Sequence, residues 1–297
     1  MPTRKTLSTS TVTADHKKGQ KAVELFRAAY NKARLVEDDA QFLNENSEFP
    51  AGLIDLIKRC SISNQYADEE IESSYGYLSG YTKPKDVSWQ SNRLRELFPG
   101  IGFHDEKAAQ MAVPEGAEGQ FVIPTWQSFA KLHGVSTYVD CVKIVLAKLK
   151  ETRKGKFCNY RENEMTPENI RETAHKTACM SQIAEQQKGY DILIVPAQFG
   201  IAHRGKSVRR ARVVIGGKGF GLGAFEVGIM LLLHPERLQH YDDLWIDCAG
   251  DEFKPGGESA FSCAPFFRFS GGVLEFDVIG VVGARDDCGS SSASFPQ

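Results

Sequence analysis

The sequence predicts an α+β or α/β fold, in which a helical N-terminal region precedes a mixed sheet with flanking helices and a C-terminal β-hairpin. Three observations lead to this prediction. Apolar residues recur at helical spacing in the first third, helix-like and strand-like segments alternate in the middle, and two β-rich runs surround a glycine pair near the end. We therefore divide the 297 residues into a flexible tail at 1–20, a helical region at 21–118 and an α/β region at 119–297, the last two of which can form one continuous domain.

Three segments of the helical region carry the helical pattern. The longest, 19–37, has a stripe of apolar residues on one face, which predicts a helix that faces a core. The stripe consists of Val23, Phe26, Tyr30 and Ala33. The segments 51–61 and 92–100 repeat the pattern in shorter form, and Pro99 with Gly100 ends the second.

The α/β region begins with a turn and a short strand at 113–126. A strong helix follows at 138–155, since its apolar residues recur at i, i+3, i+4 and i+7. A second helix is predicted at 166–189, with Thr166 as its N-cap, and it leads directly into a buried strand at 190–196.

The C-terminal third alternates between glycine-rich turns and apolar segments. Residues 210–253 predict a strand or helix, a glycine loop, two helices and a strand. Residues 265–282 predict a hairpin around Ser-Gly-Gly, because both flanking runs are rich in β-forming residues. The last nine residues are either a low-complexity tail or a final strand.

The composition is that of a soluble globular protein, with 41% hydrophobic and 25% charged residues. Apolar runs end after about seven residues, well short of the roughly 18 that a membrane span requires, so we expect no membrane association. The seven cysteines are widely spaced and form no C-x-x-C pair, which favours reduced thiols in a cytoplasmic protein.

Residues 200–207, GIAHRGKS, match the phosphate-loop template G-x-x-x-x-G-K-[ST]. In a nucleotide-binding protein, Gly200 and Gly205 would let the backbone wrap a phosphate, Lys206 would contact phosphate oxygens and Ser207 would bind Mg²⁺. Asp247, at the end of a later strand, would be the metal-binding acid. Mg²⁺ and a nucleotide are expected as cofactors only under this hypothesis; otherwise we expect none.

Other features weaken the phosphate-loop hypothesis. The interior of the loop, 201–204, is bulkier than a phosphate cradle usually permits. Pro196 stands at the end of the preceding strand, where it removes a ladder hydrogen bond. Only 90 residues follow Ser207, which is short for the further β–α units of a nucleotide-binding core.

Positive charge is concentrated in the centre of the chain. Residues 141–215 hold 15 basic and 7 acidic residues, a balance of +8, whereas 36–75 and 216–297 have balances of −8 and −7. The leading hypothesis is therefore a non-catalytic protein that binds a phosphate-bearing polyanion, most plausibly nucleic acid. The assigned residues are Lys154, Lys156, Arg161, His203, Arg204, Lys206, Ser207, Arg209, Arg210 and Arg212.

Three alternatives stay open. The charged blocks could pair with one another, which would leave a structural protein or one that binds a protein partner. The run 216–224 contains G-x-G-x-x-A, which in a dinucleotide-binding protein follows a strand, but in a run of five glycines it more often marks a tight connection. The run WIDCAGDEF gathers Asp247, Cys248, Asp251 and Glu252, which could perform acid–base or nucleophilic chemistry.

Five strings are distinctive: DILIVPAQFG, HRGKSVRRAR, GLGAFEVGIMLL, HPERL and DLWIDCAGDEF. Together they resemble a family of uncharacterised bacterial proteins, and the likeness extends from about residue 50 onward. The resemblance implies a bacterial cytoplasmic protein. It brings no assigned activity, fold or catalytic residue.

Overall fold

The computed structural model describes residues 13–60 and 64–296 and divides the chain into two units, 1–65 and 66–297. Most of the predicted tail lies outside the described residues, but helix α1 already begins at Lys17. The predicted change of character at residue 118 stays a prediction. The second unit begins at residue 66, and within it α4 (Val87–Leu97) packs on β1 (Gly119–Pro124).

The first unit consists of helices α1 (Lys17–Ala33), α2 (Glu37–Glu45) and α3 (Glu48–Arg59). The prediction that this segment forms a helix is confirmed, but the expectation that its apolar stripe faces a core is wrong. Val23 and Phe26 are each 40% exposed, and Tyr30 is 36% exposed. Helical spacing creates an apolar face but does not specify an element that covers it.

The second unit contains two sheets, of which the smaller is antiparallel. Its strand order is β1, β4 (Ile192–Gln198), β11 (Ser292–Ser294) and β5 (Gly219–Gly221). Pro196 lies inside β4 opposite Gln120, and it is tolerated there because β11 reaches only Ala197 and Gln198 on the other side. The last residues therefore form a pairing strand rather than a tail.

The larger sheet is mixed. Its strands are β2 (Phe157–Asn159), β3 (Ile170–Glu172), β6 (Trp245–Asp247), β7 (Asp251–Phe253), β8 (Cys263–Ser270), β9 (Val273–Gly280) and β10 (Cys288–Ser290). Strand β10 is parallel to β6, and β2 is parallel to β9. The predicted hairpin is confirmed as β8–β9, and its turn uses Gly271 and Gly272 at φ 58° and 82°, where other residues are strained.

Five further helices surround the sheets: α5 (Trp126–His133), α6 (Tyr138–Thr152), α7 (Ala174–Gln186), α8 (Val208–Ile215) and α9 (Ala224–Leu233). All ten residues of α9 are buried, so it is the central helix of the core, in contact with α4, α6 and β1. The predicted stripe of α6 is confirmed, since its apolar residues are buried. Together with the two sheets, these helices establish an α+β fold.

The helix predicted at 166–189 is only partly correct. Residues 170–172 form strand β3, and α7 begins after Thr173, whose hydroxyl accepts a hydrogen bond from the Lys176 amide. Strand β3 pairs with β7, which lies about 80 residues later, so the local capping signal at Thr166 was overridden by a long-range contact. This shift brings Lys176 into the first turn of α7.

Within the described residues, no helix has the length and hydropathy needed to cross a bilayer. All seven cysteines are free thiols, as the sequence analysis expected.

Candidate functional site

The phosphate-loop segment folds as a short 3₁₀ turn at Ile201–His203 that leads into the N-cap of α8. Six of its eight backbone amides donate to acceptors of the protein itself. The Ile201 amide donates to the Tyr77 hydroxyl at 3.0 Å, and the Gly205 amide donates to the Cys288 carbonyl at 3.0 Å. A phosphate cradle needs these donors free, so this geometry argues against the nucleotide hypothesis.

Two carboxylates lie against the end of this segment and the start of α8. Four side chains contact Glu69 and Glu70; they are Lys206, Ser207, Arg209 and Arg210. Hydrogen bonding from Arg209 lowers the pKa of Glu69, which keeps that carboxylate ionised. These two carboxylates offset part of the positive charge of Lys206, Arg209 and Arg210, and so weaken the attraction of this segment for a phosphate.

Most of the other cations assigned to the polyanion surface are engaged as well. Burial lowers the pKa of His203 to about 4, so this side chain is neutral, and its Nε2 lies 3.1 Å from the Ser292 hydroxyl. Arg161 pairs with the carboxylates of Asp277 and Glu164. Arg204 donates to the backbone carbonyl of Tyr75, and Arg212 donates to the backbone carbonyls of Ala249 and Asp251.

Lys154 and Lys156 differ from these residues. Both are exposed, and neither has an ion-pair partner within the described chain. Lys150, one turn earlier on α6, is exposed and unpaired in the same way. The structure therefore splits the predicted surface: the cations of residues 203–212 contact carboxylates or backbone carbonyls, whereas the lysines at the end of α6 have no ion-pair partner within the described chain.

Asp247 is buried at the end of β6, where burial raises its pKa to about 7. Its Oδ1 has no hydrogen-bond partner within the described chain. Among the described residues, no group of three or more His, Cys, Asp or Glu side chains could hold a metal ion. The expectation that Asp247 binds Mg²⁺ is therefore not supported, because a single neutral carboxyl is a poor ligand for that ion.

The glycine-rich run 216–224 has a packing role. A Cβ at Gly219 would lie 2.1 Å from the Ala293 carbonyl oxygen of the neighbouring strand. At Gly223 it would lie 2.2 Å from Asp251 Oδ1 and 2.4 Å from Lys176 Nζ. These glycines allow close approach of backbone and side chains, and the second one adjoins a buried ionic cluster.

That cluster is centred on Lys176, whose side chain is fully buried. Its ammonium lies 2.6 Å from Glu226 Oε2 and 3.3 Å from both Asp251 Oδ1 and Glu172 Oε1. It also donates to the Tyr138 hydroxyl at 2.9 Å. One ammonium thus meets three carboxylates and a phenol; we call these five residues the Lys176 cluster.

Three helix N-termini position the Lys176 cluster. Tyr138 begins α6, Lys176 lies in the first turn of α7 and Glu226 lies in the first turn of α9. Glu226 Oε2 accepts the Gly223 amide at 3.0 Å, and Asp251 Oδ2 accepts the Ala224 amide at 2.7 Å. The carboxylates therefore also satisfy the free amides at the start of α9 and complement its dipole.

Burial and charge act in opposite directions on the acid–base groups of this cluster. Burial by itself lowers the pKa of Lys176, but its carboxylate neighbours hold that pKa above its ordinary value, so the ammonium stays charged. Burial raises the pKa of Glu226 to about 7, although Lys176 opposes the shift. Glu226 therefore exchanges a proton near neutral pH.

A cavity of about 310 Å³ borders the Lys176 cluster. Its walls come from α5, β3, α7, β4 and the start of α9. Its lining residues are Thr125, Trp126, Gln127, Glu172, Thr177, Met180, Ser181, Ala184, Glu185, Leu193 and Glu226. Both hydrogen-bond donors that reach Glu226 use Oε2, so its Oε1 receives no hydrogen bond within the described chain. The lining is mostly polar, and Trp126, Met180, Ala184 and Leu193 are its apolar part. Convergent polar groups that include one with a shifted pKa are typical of a small-molecule site.

Sequence reasoning missed most of this site. It singled out Asp251 but not Lys176, Glu226 or Tyr138. One signal was available: Glu226 is the only charged residue in the otherwise apolar helix AFEVGIMLLL, and a buried charge requires a partner. The partners come from distant segments, and no local pattern indicates them.

Comparisons with known protein families, with curated proteins and with solved structures find no match to this chain.

Proposed function

We propose that the protein binds a small organic cation, with a primary ammonium or guanidinium group, in the cavity beside the Lys176 cluster. The observation that carries this proposal is Glu226 Oε1, an unpaired carboxylate oxygen on a side chain that is only 1% exposed and lines the cavity. An acceptor at the cavity wall that receives no hydrogen bond from the protein can accept one from a ligand.

The charge of the cluster supports a cationic ligand. Three carboxylates face one ammonium, so the net charge is negative even when Glu226 is protonated. In a partly enclosed cavity this excess charge acts through a lower dielectric than water provides. An anionic ligand would add a fourth negative charge and is disfavoured.

The walls support a ligand with an apolar body. Trp126 lines the cavity and packs edge-on against Tyr138, with ring centroids 6.1 Å apart. Met180 and Leu193 add apolar surface. An indole can hold a cation over its ring or stack against a flat ligand, and the volume suits a small molecule rather than a polymer.

We expect the Glu226→Gln variant to bind benzylamine at least about tenfold more weakly than the parent protein, a loss of about 1.4 kcal/mol. The amide keeps the size and hydrogen-bonding capacity of the side chain but cannot ionise. Between pH 6 and pH 8 the parent should gain about tenfold in affinity, because Glu226 loses its proton near pH 7 and the ionised form attracts the ammonium. Isothermal titration calorimetry at both pH values measures these effects.

The matched control is Glu185→Gln. Glu185 lies at the same cavity, but its side chain is 73% exposed and already pairs with Lys188, so we expect less than a threefold change. Benzyl alcohol, which has the same ring without the charge, should bind much more weakly than benzylamine. Equal affinities for the two compounds, or a Glu226→Gln variant that binds like the parent, would reject the proposal.

Polyanion binding is the second candidate function, and the exposed, unpaired Lys150, Lys154 and Lys156 favour it. We expect a fluorescent single-stranded 20-nucleotide DNA to bind weakly, with an affinity that declines as salt concentration rises. In the double variant Lys154→Gln/Lys156→Gln, the slope of log affinity against log salt concentration should fall by the equivalent of about two phosphate contacts. Fluorescence anisotropy at 50 and 200 mM salt measures both.

Arg209→Gln is the control for this second test, since Arg209 is already held by Glu69 and should contribute little. If the oligonucleotide fails to bind at low salt, this candidate is excluded.

A further inference from the structure

A second cavity, of about 630 Å³, lies at the other end of α9. Its lining residues come from α4 and from the ends of α6 and α9; they are Trp89, Asn92, Arg93, Glu96, Thr152, Arg153, Leu232 and Pro235. Because α9 has ten residues and is about 15 Å long, this cavity is separate from the one beside Glu226.

Arg153 is the central polar group of this cavity. Its Nη1 donates to the Leu238 carbonyl at 3.1 Å and its Nη2 donates to the Pro235 carbonyl at 2.9 Å. A guanidinium has five N–H donors, so these bonds leave three unused, and Nε is buried without a partner in the described chain. The two carbonyl contacts fix the orientation of the guanidinium.

The charge of Arg153 has no matching carboxylate. None of the ion pairs in the described chain includes it, and burial alone lowers its pKa to about 10. The other two charges of the cavity, Arg93 and Glu96, neutralise each other at 2.7 Å. The cavity therefore carries one net positive charge, and a partly buried cation without a counterion favours an anionic ligand.

The cavity also has an aromatic side chain in its lining. Trp89 is 45% exposed and lines the cavity together with Leu232 and Pro235. An exposed indole provides a flat surface on which a ring can stack.

We propose that this cavity is a binding site for a small molecule that carries an oxyanion on a flat ring, with the oxyanion bound by the free donors of Arg153 and the ring packed on Trp89. Guanidinium groups recognise the planar pair of oxygens in carboxylates and phosphates, which accounts for an arginine at this position. The site is independent of the cation site beside Glu226.

Calorimetric titration of the full-length protein with phenyl phosphate, benzoate and phenol tests the proposal. We expect phenyl phosphate or benzoate to bind at least tenfold more tightly than phenol, and the better of the two identifies the oxyanion. Arg153→Met should weaken that binding at least tenfold, and Trp89→Ala should weaken it severalfold.

Arg93→Met is the matched control, because Arg93 lines the same cavity but is paired with Glu96, and we expect less than a threefold change. Trp89→Ala alters an exposed side chain, so it keeps the test valid if Arg153→Met unfolds. Phenol binding as tightly as both anions, or unchanged anion binding in the folded Arg153→Met and Trp89→Ala variants, would overturn the proposal.

Discussion

Replacement of Lys176 by methionine is expected to lower the free energy of unfolding by about 3–5 kcal/mol, because it leaves Asp251, Glu226 and Glu172 buried without their cation. A loss of this size is a large share of the 5–15 kcal/mol that stabilises a typical domain. Urea unfolding followed by circular dichroism measures it. Because the uncompensated carboxylates can take up protons, the deficit should be smaller at pH 5.5 than at pH 8.

Two further variants distinguish the loss of the buried ion pairs from the loss of any lysine side chain. Lys188→Met removes a lysine at the other end of α7 whose side chain is 76% exposed, and we expect a change within about 0.5 kcal/mol. The double variant Lys176→Met/Glu226→Gln also removes one of the carboxylates left without a cation, so it should be more stable than Lys176→Met alone. A cost below about 1 kcal/mol for Lys176→Met would show that the cluster is not the stabilising network described above.

The parts of the fold that the sequence predicted correctly are those specified by local patterns. Helix α6 has the full apolar stripe, and the β8–β9 hairpin has β-rich runs around two glycines. The failures involve contacts between distant segments. The helix predicted to begin at Thr166 begins only at Ala174, because residues 170–172 form strand β3 and pair with β7.

The same distinction explains the candidate sites. The match of residues 200–207 to the phosphate-loop template is local, whereas Glu69 and Glu70, which pair with Lys206 and Arg209, lie more than 130 residues earlier. Conversely, Lys176 and Asp251 are 75 residues apart in sequence and share one buried cluster. Charge segregation along the chain was visible in the sequence, but the pairing of the acidic and basic blocks required the fold.

We expect Asp247→Asn to stabilise the protein at pH 8 by about 1–3 kcal/mol. Burial raises the pKa of Asp247 from its ordinary value of 3.8 to about 7, so the folded state holds a proton that the unfolded state releases. Stability therefore falls as pH rises from about 4 to about 7, and the full penalty is present above pH 7. Asparagine has nearly the same shape and never ionises, so it removes that penalty. Urea unfolding of both proteins at pH 8 and pH 4.5 measures the difference.

The pH dependence of this difference separates the ionisation of Asp247 from a change in packing. At pH 4.5 Asp247 is protonated in the folded parent and the pH lies less than one unit above the ordinary value of 3.8, so the difference between the two proteins should shrink to about 1 kcal/mol or less, whereas a packing effect would be the same at both pH values. Asp242→Asn is the control, because its side chain is 54% exposed and its replacement should have little effect. A variant that is no more stable than the parent at pH 8 would mean that Asp247 finds a compensating partner when it ionises. The unpaired Ser290 hydroxyl on the neighbouring strand, in register with Asp247, is the first group to examine in that case.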